Sequence, residues 1–351
     1  MQLLRSSWRR TLAVLFAATA AAACAGDLTS PDGVRNPTVD RVAVVVNRVD
    51  RTLTVIPFAA RETSRTIPLG AAGAPVDLAV RGELAVVPMG GAGGVAIVNL
   101  RTGTVERMVA MAPGLDARRA AFISDTLVLV TNPARGTLTL LNPLTGRVGA
   151  PTNAGGEAPS DVLRFGPRVY VLNGAAGART NGMVTVLDTL LRPLGSAPLS
   201  GTNPVAAVVR GDLLYVLLAG QPALANSSVS AVDVATMRER SSVAGFGESP
   251  ESMAFDARGG LYVPVRQQGL VIFNPVTGIF LRGAGSPLPL GGMDDAVRVA
   301  SDPAGFVYAL LPGACERAGT LVRLDPDGTP AASALTGICP ADVEFTSLLP
   351  R

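Results

Sequence analysis

Residues 127–165 read LVLVTNPARGTLTLLNPLTGRVGAPTNAGGEAPSDVLRF and contain one copy of a unit that recurs along the chain. Two short apolar runs are followed by the turn NPLTG, a third short run, a Gly/Pro break and the apolar PSDVLRF. Aligning the chain on itself finds seven such units at a period of roughly 40 to 46 residues. Four short strands per unit, without helical periodicity, are typical of a propeller blade. The sequence therefore predicts an all-β, seven-bladed β-propeller of four-stranded blades.

The first and second strands of every unit, and the fourth strands of five units, can be placed from the apolar runs. The first strands begin at Arg41, Glu83, Thr126, Arg168, Leu213, Gly260 and Phe306. The second strands begin at Thr52, Gly94, Thr137, Met183, Ser228, Leu270 and Leu321. A short third strand and a Gly/Pro break come next, and fourth strands begin at Pro75, Pro159, Pro204, Pro250 and Pro340.

The turn after the second strand has a recurring sequence, as in NLRTG at 99–103, NPLTG at 142–146 and NPVTG at 274–278. The leading Asn accepts a hydrogen bond from the backbone two residues on, Pro restricts φ, and Gly adopts a left-handed conformation. This pattern predicts an Asx turn in most units. The first unit lacks it, because its second strand runs into Pro57, and the fourth unit ends its turn without Thr-Gly.

LVTN at 129–132, YVLN at 170–173, the V-x-V-x-D strands and the P-x-x-V-x-F strands resemble the YVTN repeats of YncE-like propellers. The resemblance covers about residues 40–348, nearly the whole chain after the N-terminal segment. It implies a propeller of the bacterial cell envelope. The repeated residues are structural, so the resemblance specifies the fold and leaves the ligand open.

Ring closure follows from the order of the strands. The chain enters the propeller with a first strand at Arg41 and ends with a fourth-type strand, so the first blade lacks its innermost strand until the C-terminus supplies it. We therefore predict that residues 342–345 pair beside residues 41–47.

The N-terminus resembles an export signal. Arg5, Arg9 and Arg10 precede the apolar run TLAVLFAATAAAA, which is too short for a transmembrane helix. Small residues before Cys24 resemble a bacterial lipobox, and ordinary cleavage with Cys24 as a bystander is the alternative. We assign 1–23 to the signal peptide, 24–39 to the lipidated cysteine and a flexible tether, and 40–351 to the propeller.

Composition excludes several functions. The chain has no His, which rules out His-based nucleophiles, His general bases and His-ligated metals. All 30 basic residues are Arg, and removing the three in the signal leaves 27, equal to the 27 acidic residues. This balance gives no basic surface for nucleic acid.

Cys315 and Cys339 flank the end of the last unit, in connections that lie on the same propeller face. In an exported protein such a pair predicts a disulfide beside the ring closure, and two free thiols are the alternative.

Innermost strands begin with acidic residues that would gather at one mouth of the channel: Asp77, Asp161, Asp295 and Asp342, with Asp116 and Glu251 near them. Such carboxylates could hold Ca²⁺, or each could hydrogen-bond the backbone at its own turn. The longest connections, 174–182 and 219–228, emerge on the same face and carry the candidate ligand contacts Arg179, Asn181, Gln221 and Asn226.

Our interpretation from sequence is a monomeric, lipid-anchored binding or scaffold propeller of the cell envelope, exported to the periplasm, outer membrane or cell surface. We assign no catalytic residue and no cofactor other than the candidate Ca²⁺. Its partner would be an envelope protein or a small molecule. The alternative is a Ca-dependent hydrolase of the lactonase or gluconolactonase type, for which Asp161 and Asp342 would be essential.

Overall fold

The computed structural model describes residues 40–58, 63–91, 94–174, 180–265, 267–290 and 296–349. These residues belong to one compact unit, Val39–Arg351. The expected signal peptide, Cys24 and the tether fall outside the described residues, as do Arg179 and Asp295.

The strands follow one another in chain order, four to most blades. Blade 1 contains β1 (Asp40–Asn47), β2 (Thr52–Pro57) and β3 (Arg65–Pro68). Blade 2 contains β4 (Ala79–Arg81), β5 (Leu84–Pro88), β6 (Val95–Asn99) and β7 (Thr104–Val109). Blade 3 contains β8 (Ala120–Phe122), β9 (Val128–Asn132), β10 (Thr137–Asn142), β11 (Arg147–Val148) and β12 (Thr152–Asn153). Blade 4 contains β13 (Pro159–Phe165), β14 (Arg168–Asn173), β15 (Met183–Asp188) and β16 (Pro193–Pro198).

The second half of the ring repeats this order. Blade 5 contains β17 (Pro204–Arg210), β18 (Leu213–Leu218), β19 (Ser228–Asp233) and β20 (Arg238–Ala244). Blade 6 contains β21 (Ala254–Phe255), β22 (Leu261–Val265), β23 (Gly269–Asn274) and β24 (Ile279–Arg282). Blade 7 contains β25 (Arg298–Ser301), β26 (Val307–Leu311), β27 (Ala318–Leu324) and β28 (Pro330–Ile338). The last described strand is β29 (Pro340–Leu348).

These strands form seven antiparallel sheets, so the prediction of a seven-bladed β-propeller is confirmed. Each sheet runs from an innermost strand through second and third strands to an outermost strand. The fourth strand of a sequence unit is the innermost strand of the next blade. The first, second and third strands of a unit are the second, third and outermost strands of its own blade. In blade 3 the outermost strand is split, and both β11 and β12 pair with β10. Helix in the described ranges is limited to two 3₁₀ turns, Pro133–Arg135 and Gly313–Cys315. In those ranges no helix has the length and apolarity needed to cross a membrane.

The predicted ring closure is also confirmed. β29 is the innermost strand of blade 1 and pairs antiparallel with β1, so the sheet order is β29-β1-β2-β3. Val45 lies opposite Val343 and Ala43 opposite Phe345, within the segments that the sequence predicts to pair. The first blade is therefore built from both ends of the propeller.

The middle strands are apolar at successive positions because both faces of each blade are covered by neighbouring blades. In β1, Val44 and Val46 pack toward blade 2 in one cluster that includes Val87. Ala43 and Val45 point the other way and pack in a second cluster with Leu310 of blade 7. Each blade thus buries its two faces only when both of its neighbours are in place.

The predicted Asx turns are present. Asn142 Oδ1 accepts hydrogen bonds from the backbone N–H groups of Leu144 and Thr145, at 3.0 Å each. In blade 4, where the turn lacks Gly, Leu191 adopts a left-handed φ of 61°. The turn geometry is therefore kept even where its usual residue is missing, at a cost in backbone strain.

The Asn residue that ends the LVTN and YVLN segments has a structural role. Asn132 Nδ2 donates to Thr139 Oγ1 at 2.9 Å, and Asn173 Nδ2 donates to Thr185 Oγ1 at the same distance. Both asparagines are buried. The Nδ2 atom therefore ties the second strand to the third inside the blade.

The propeller has two different faces. The turn face carries the turns between innermost and second strands, such as 166–167, and between third and outermost strands, such as 189–192. The loop face carries the connections between second and third strands, such as 219–227, and those between blades, such as 199–203. Innermost strands run from the loop face to the turn face.

Cys315 and Cys339 form the predicted disulfide, with their Cα atoms 4.2 Å apart. The bond joins the 3₁₀ turn after β26 to the residue that precedes β29, on the loop face. Cys339 O also accepts a hydrogen bond of 2.9 Å from the Arg48 N–H. By loss of chain entropy in the unfolded state, a loop of this length stabilises the fold by about 3 kcal/mol.

Removing residues 340–351 tests the closure. We expect cooperative loss of the whole fold rather than six intact blades, because blade 1 loses its innermost strand and blades 2 and 7 lose a packing partner. Circular dichroism melts and size-exclusion chromatography measure this. A chain shortened only after Leu348 is the control and should melt like the full chain; a folded, compact product of the longer deletion would refute the closure role.

Candidate functional site

The central channel is lined by the innermost strands of all seven blades and encloses about 480 Å³. Small apolar residues supply most of its wall, among them Ala79, Ala121 and Ala254. Charged side chains are concentrated near the loop face, where the innermost strands begin. Those charges are the candidate functional site.

Strand register defines one layer of equivalent positions around the channel. Asp342 lies opposite Val46, Asp161 opposite Leu172, Ala206 opposite Leu217 and Arg298 opposite Leu310, and each partner occupies the same place in its second strand. Asp77, Arg119 and Ser252 take the corresponding place just before β4, β8 and β21. We call these seven residues the first channel layer.

Four members of this layer form a chain of ion pairs across the ring closure. Arg298 Nε lies 2.5 Å from Asp342 Oδ1, and Arg119 Nη1 lies 2.7 Å from Asp77 Oδ1. Arg298 Nη2 also approaches Asp77 Oδ1 at 3.7 Å. These contacts, the channel ion network, connect blade 7, the closing strand in blade 1, blade 2 and blade 3.

Backbone N–H groups donate further hydrogen bonds to the carboxylates. Asp77 Oδ2 accepts from Ala120 N at 2.8 Å, which joins blade 2 to blade 3. Asp342 Oδ1 and Asp161 Oδ1 each accept from the N–H of the following residue at 2.9 Å. Asp77 and Asp342 are both 3% exposed, so these partners are needed to offset their loss of water.

Burial and neighbouring charges give the three aspartates of the first channel layer different pKa values. Burial raises the pKa of Asp77, and the nearby Asp342 carboxylate adds to this against the opposing effect of Arg119. Burial would also raise the pKa of Asp342, but Arg298 and Arg119 outweigh it and hold that pKa below its usual value. Burial raises the pKa of Asp161 despite both arginines. Asp77 therefore binds a proton more readily than Asp342.

Glu344 stands one layer deeper, two residues after Asp342 on β29. By the same register its layer is otherwise apolar: Ala79, Ala121, Leu163, Val208, Ala254 and Ala300. Glu344 is exposed to the open channel, and the channel walls surround its carboxyl group on the other sides. This environment raises the pKa of Glu344 to about 8, and the negative charges of Asp342 and Asp77 contribute to the rise.

The structure brings together Asp77, Asp161 and Asp342, three of the acidic residues that the sequence places at the channel mouth. Asp116 lies outside the layer, where it accepts from Gly91 N at 2.7 Å and pairs with Arg118. Glu251 is exposed, and its neighbour Ser252 takes the layer position. The layer therefore differs from the predicted carboxylate ring, because Arg119 and Arg298 lie among the acids and pair with them.

The predicted loop residues do not reach this network in the described structure. Asn226 Oδ1 accepts from Gln221 N at 2.9 Å, so this pair holds the 219–227 connection closed. Asn181 is exposed on the loop face, in the connection between β14 and β15. Asn181, Gln221 and Asn226 therefore lie in loop-face connections, and their role as ligand contacts stays a prediction.

Sequence reasoning missed Arg119, Arg298 and Glu344. The innermost strands of blades 3 and 7 lack the Pro-x-Asp pattern, so the prediction named the nearest acidic residues, Asp116 and Asp295, instead. The available signal was register: counting back from the turn to the second strand, RRAAF at 118–122 and VRVAS at 297–301 place an Arg where other blades place Asp.

Replacing Arg298 by Met should destabilise the fold by about 3 kcal/mol, because it leaves the buried Asp342 carboxylate without its ion-pair partner. Urea denaturation at neutral pH measures this. Arg81→Met is the matched control, because the Arg81–Asp125 pair is 45% and 81% exposed; its loss should cost less than about 1 kcal/mol. Equal costs for the two variants would show that the channel ion network is not stabilising.

The Glu344→Gln variant should show a pH-dependent gain in stability. Because the folded pKa of about 8 exceeds the ordinary value of 4.5, the folded state binds the proton more tightly, and wild-type stability falls as pH rises between these values. The variant should match wild type near pH 4 and exceed it near pH 9 by about 1–2 kcal/mol, a figure reduced for screening by channel water. Glu248→Gln, at an exposed site that does not line the channel, is the control. Parallel stability curves for wild type and Glu344→Gln would contradict the assignment.

Comparison with known proteins supports the fold and goes no further. No model of a known protein family matches the chain, and no curated protein matches it. Among solved structures, a hydrazine synthase chain of Kuenenia stuttgartiensis is similar, with a TM-score of 0.60 and 17% identity over 76% of this chain and 88% of that one. At this identity the likeness shows the β-propeller fold alone.

Proposed function

We propose that the protein is a non-enzymatic binding or scaffold propeller, anchored in the bacterial cell envelope by a lipid on Cys24. A β-propeller supports either a binding or scaffold role or a hydrolase of the propeller type. Its partner would be an envelope protein or a small molecule rather than a nucleic acid. Choosing between the two roles depends on what the channel carboxylates do.

One observation carries the scaffold proposal: the channel ion network already uses the buried acids. Both oxygens of Asp77 accept N–H donors, and the Arg298 guanidinium lies beside Asp342. A cation entering this layer would face two fixed positive groups. Among the described residues no three His, Cys, Asp or Glu side chains are arranged to hold a metal ion. The network thus resembles a brace between blades more than an open cation site.

The alternative, a Ca-dependent lactonase or gluconolactonase-like hydrolase, has one point in its favour. Asp161 and Glu344 line the channel, and among the described ion pairs neither has an arginine partner. Carboxylate oxygens are the ligands that Ca²⁺ prefers. These two residues are therefore where a catalytic cation would have to bind.

Support for the anchor comes from the cysteines. The chain has three, and Cys315 and Cys339 are bonded to each other. Cys24 is therefore the cysteine left over, and it follows an apolar run with Ala21, Ala22 and Ala23 directly before it. A lipid on this residue accounts for both its position and the polar segment that follows.

A cation titration separates the two roles. Protein purified with chelator should keep the same melting temperature when Ca²⁺, Mg²⁺ or Mn²⁺ is added, because a scaffold has no cation site in its folded state. A saturable rise would mean such a site. If Asp161→Asn or Glu344→Gln then abolished that rise, the hydrolase alternative would replace this proposal, and lactones would be the first substrates to screen.

Fractionation of cells tests the anchor separately. We expect the wild-type protein in the membrane fraction and the Cys24→Ser variant in the soluble exported fraction, since the described propeller offers no spanning helix. Detergent extraction of the wild-type membranes is the control. Unchanged membrane association of Cys24→Ser would refute the proposed lipid anchor. It would not affect the choice between scaffold and hydrolase.

A further inference from the structure

The turn face carries a contiguous apolar arc. In each described turn between third and outermost strands, the residue two positions after the leading Asn or Asp lies at the tip. From blade 2 to blade 7 these tip residues are Arg101, Leu144, Leu190, Ala235, Val276 and Asp327. Blades 3 to 6 therefore present four apolar tips in succession, and the charged tips lie on the other side of the ring.

The tips of the arc are open to solvent. Leu144 is 60% exposed, Leu190 is 70% exposed and Val276 is 89% exposed. Leu194 and Ile279, at the starts of the neighbouring outermost strands, are 56% and 57% exposed. Single exposed aliphatic residues are ordinary on protein surfaces, but several at one repeat position on one face indicate a surface that meets an apolar partner.

The tether joins the propeller at this same face. Asp40, the first described residue, lies opposite Leu348 at the turn-face end of the β1–β29 pair, so the propeller begins at the turn face. Fifteen residues span at most about 50 Å even when fully extended. If Cys24 carries the proposed lipid, the membrane surface therefore lies within that distance of the turn face, the face at which the tether is attached.

We propose that the apolar arc, Leu144, Leu190, Ala235 and Val276, docks on the lipid bilayer that holds the anchor. Because the four tips lie on one face of the ring, a flat surface can contact them together. Exposed Arg147 and Arg238 begin outermost strands beside two of the tips and would meet lipid phosphates. This inference rests on the proposed anchor, and it orients the channel mouth and the loop face away from the membrane.

Tryptophan provides a clean probe of this orientation. The only Trp of the chain is Trp8, so the chain from Cys24 onward has none. With Cys315 and Cys339 bonded, Cys24 is the single free thiol and can be coupled to a maleimide phospholipid. Leu190→Trp and Val276→Trp place probes on the arc, and Leu224→Trp places a matched control on the loop face, where Leu224 is 48% exposed.

Each variant is coupled to phosphatidylethanolamine–phosphatidylglycerol vesicles with and without brominated acyl chains. We expect a blue shift and bromine quenching for the probes at 190 and 276, and neither change at 224. Unquenched probes at 190 and 276, or equal quenching at 224, would overturn the proposal. Adding Leu144→Ser to the Val276→Trp variant should reduce its quenching, and circular dichroism of each variant verifies that it is folded.

Chemical coupling keeps the two proposals distinguishable. The vesicle assay attaches the chain whether or not cells lipidate Cys24, so it reports only which face meets the bilayer. Cell fractionation of Cys24→Ser reports only the anchor. Quenching with a failed fractionation result would leave a bilayer-binding face on a protein held by other means; the reverse would leave an anchored propeller that does not dock.

Discussion

The antiparallel pairing of β29 with β1 is the contact on which the rest of the ring depends. Every blade buries its two sheet faces against its neighbours, so a ring with one incomplete blade exposes apolar surface on both sides of the gap. Three kinds of interaction converge at this junction: the strand hydrogen bonds, the Cys315–Cys339 disulfide and the Arg298–Asp342 ion pair. The chain has thus concentrated its strongest non-repeating contacts at the place where the repeat alone gives no continuity.

Register explains why the channel holds charges at all. Each residue of the first channel layer faces six equivalent side chains across a narrow space, and seven like charges there would repel one another. Alternating Asp77, Arg119 and Asp161 on one side, and Asp342 next to Arg298 on the other, reduces that repulsion and links blades that share no hydrogen-bonded strands. Glu344, one layer deeper, has no such partner among the described ion pairs. Its surroundings in the channel wall raise its pKa by desolvation, and the negative charges of Asp342 and Asp77 add to the rise.

The fold could be predicted from sequence because each blade repeats its own local signals: apolar strands of similar length, an Asx turn and a Gly/Pro break. Closure followed from strand order alone, and the disulfide from cysteine placement. The candidate site was predictable only where a Pro-x-Asp pattern marked the layer, as at Asp77, Asp161 and Asp342. Arg119 and Arg298 occupy the same layer without that pattern, because position in the channel is set by pairing to the second strand and not by local sequence.

Placing the innermost strand of blade 1 at the end of the chain affects how the protein can be made. Because synthesis proceeds from the N-terminus, β1 is made first and β29 last. Until then the edge of β1, with VAVVV at 42–46, offers unpaired backbone groups and no charge between Val42 and Val46. Folding is therefore a late event with very distant contacts, and a slow one. The nascent chain would depend on a chaperone, or on rapid completion, to keep this segment from pairing with another copy.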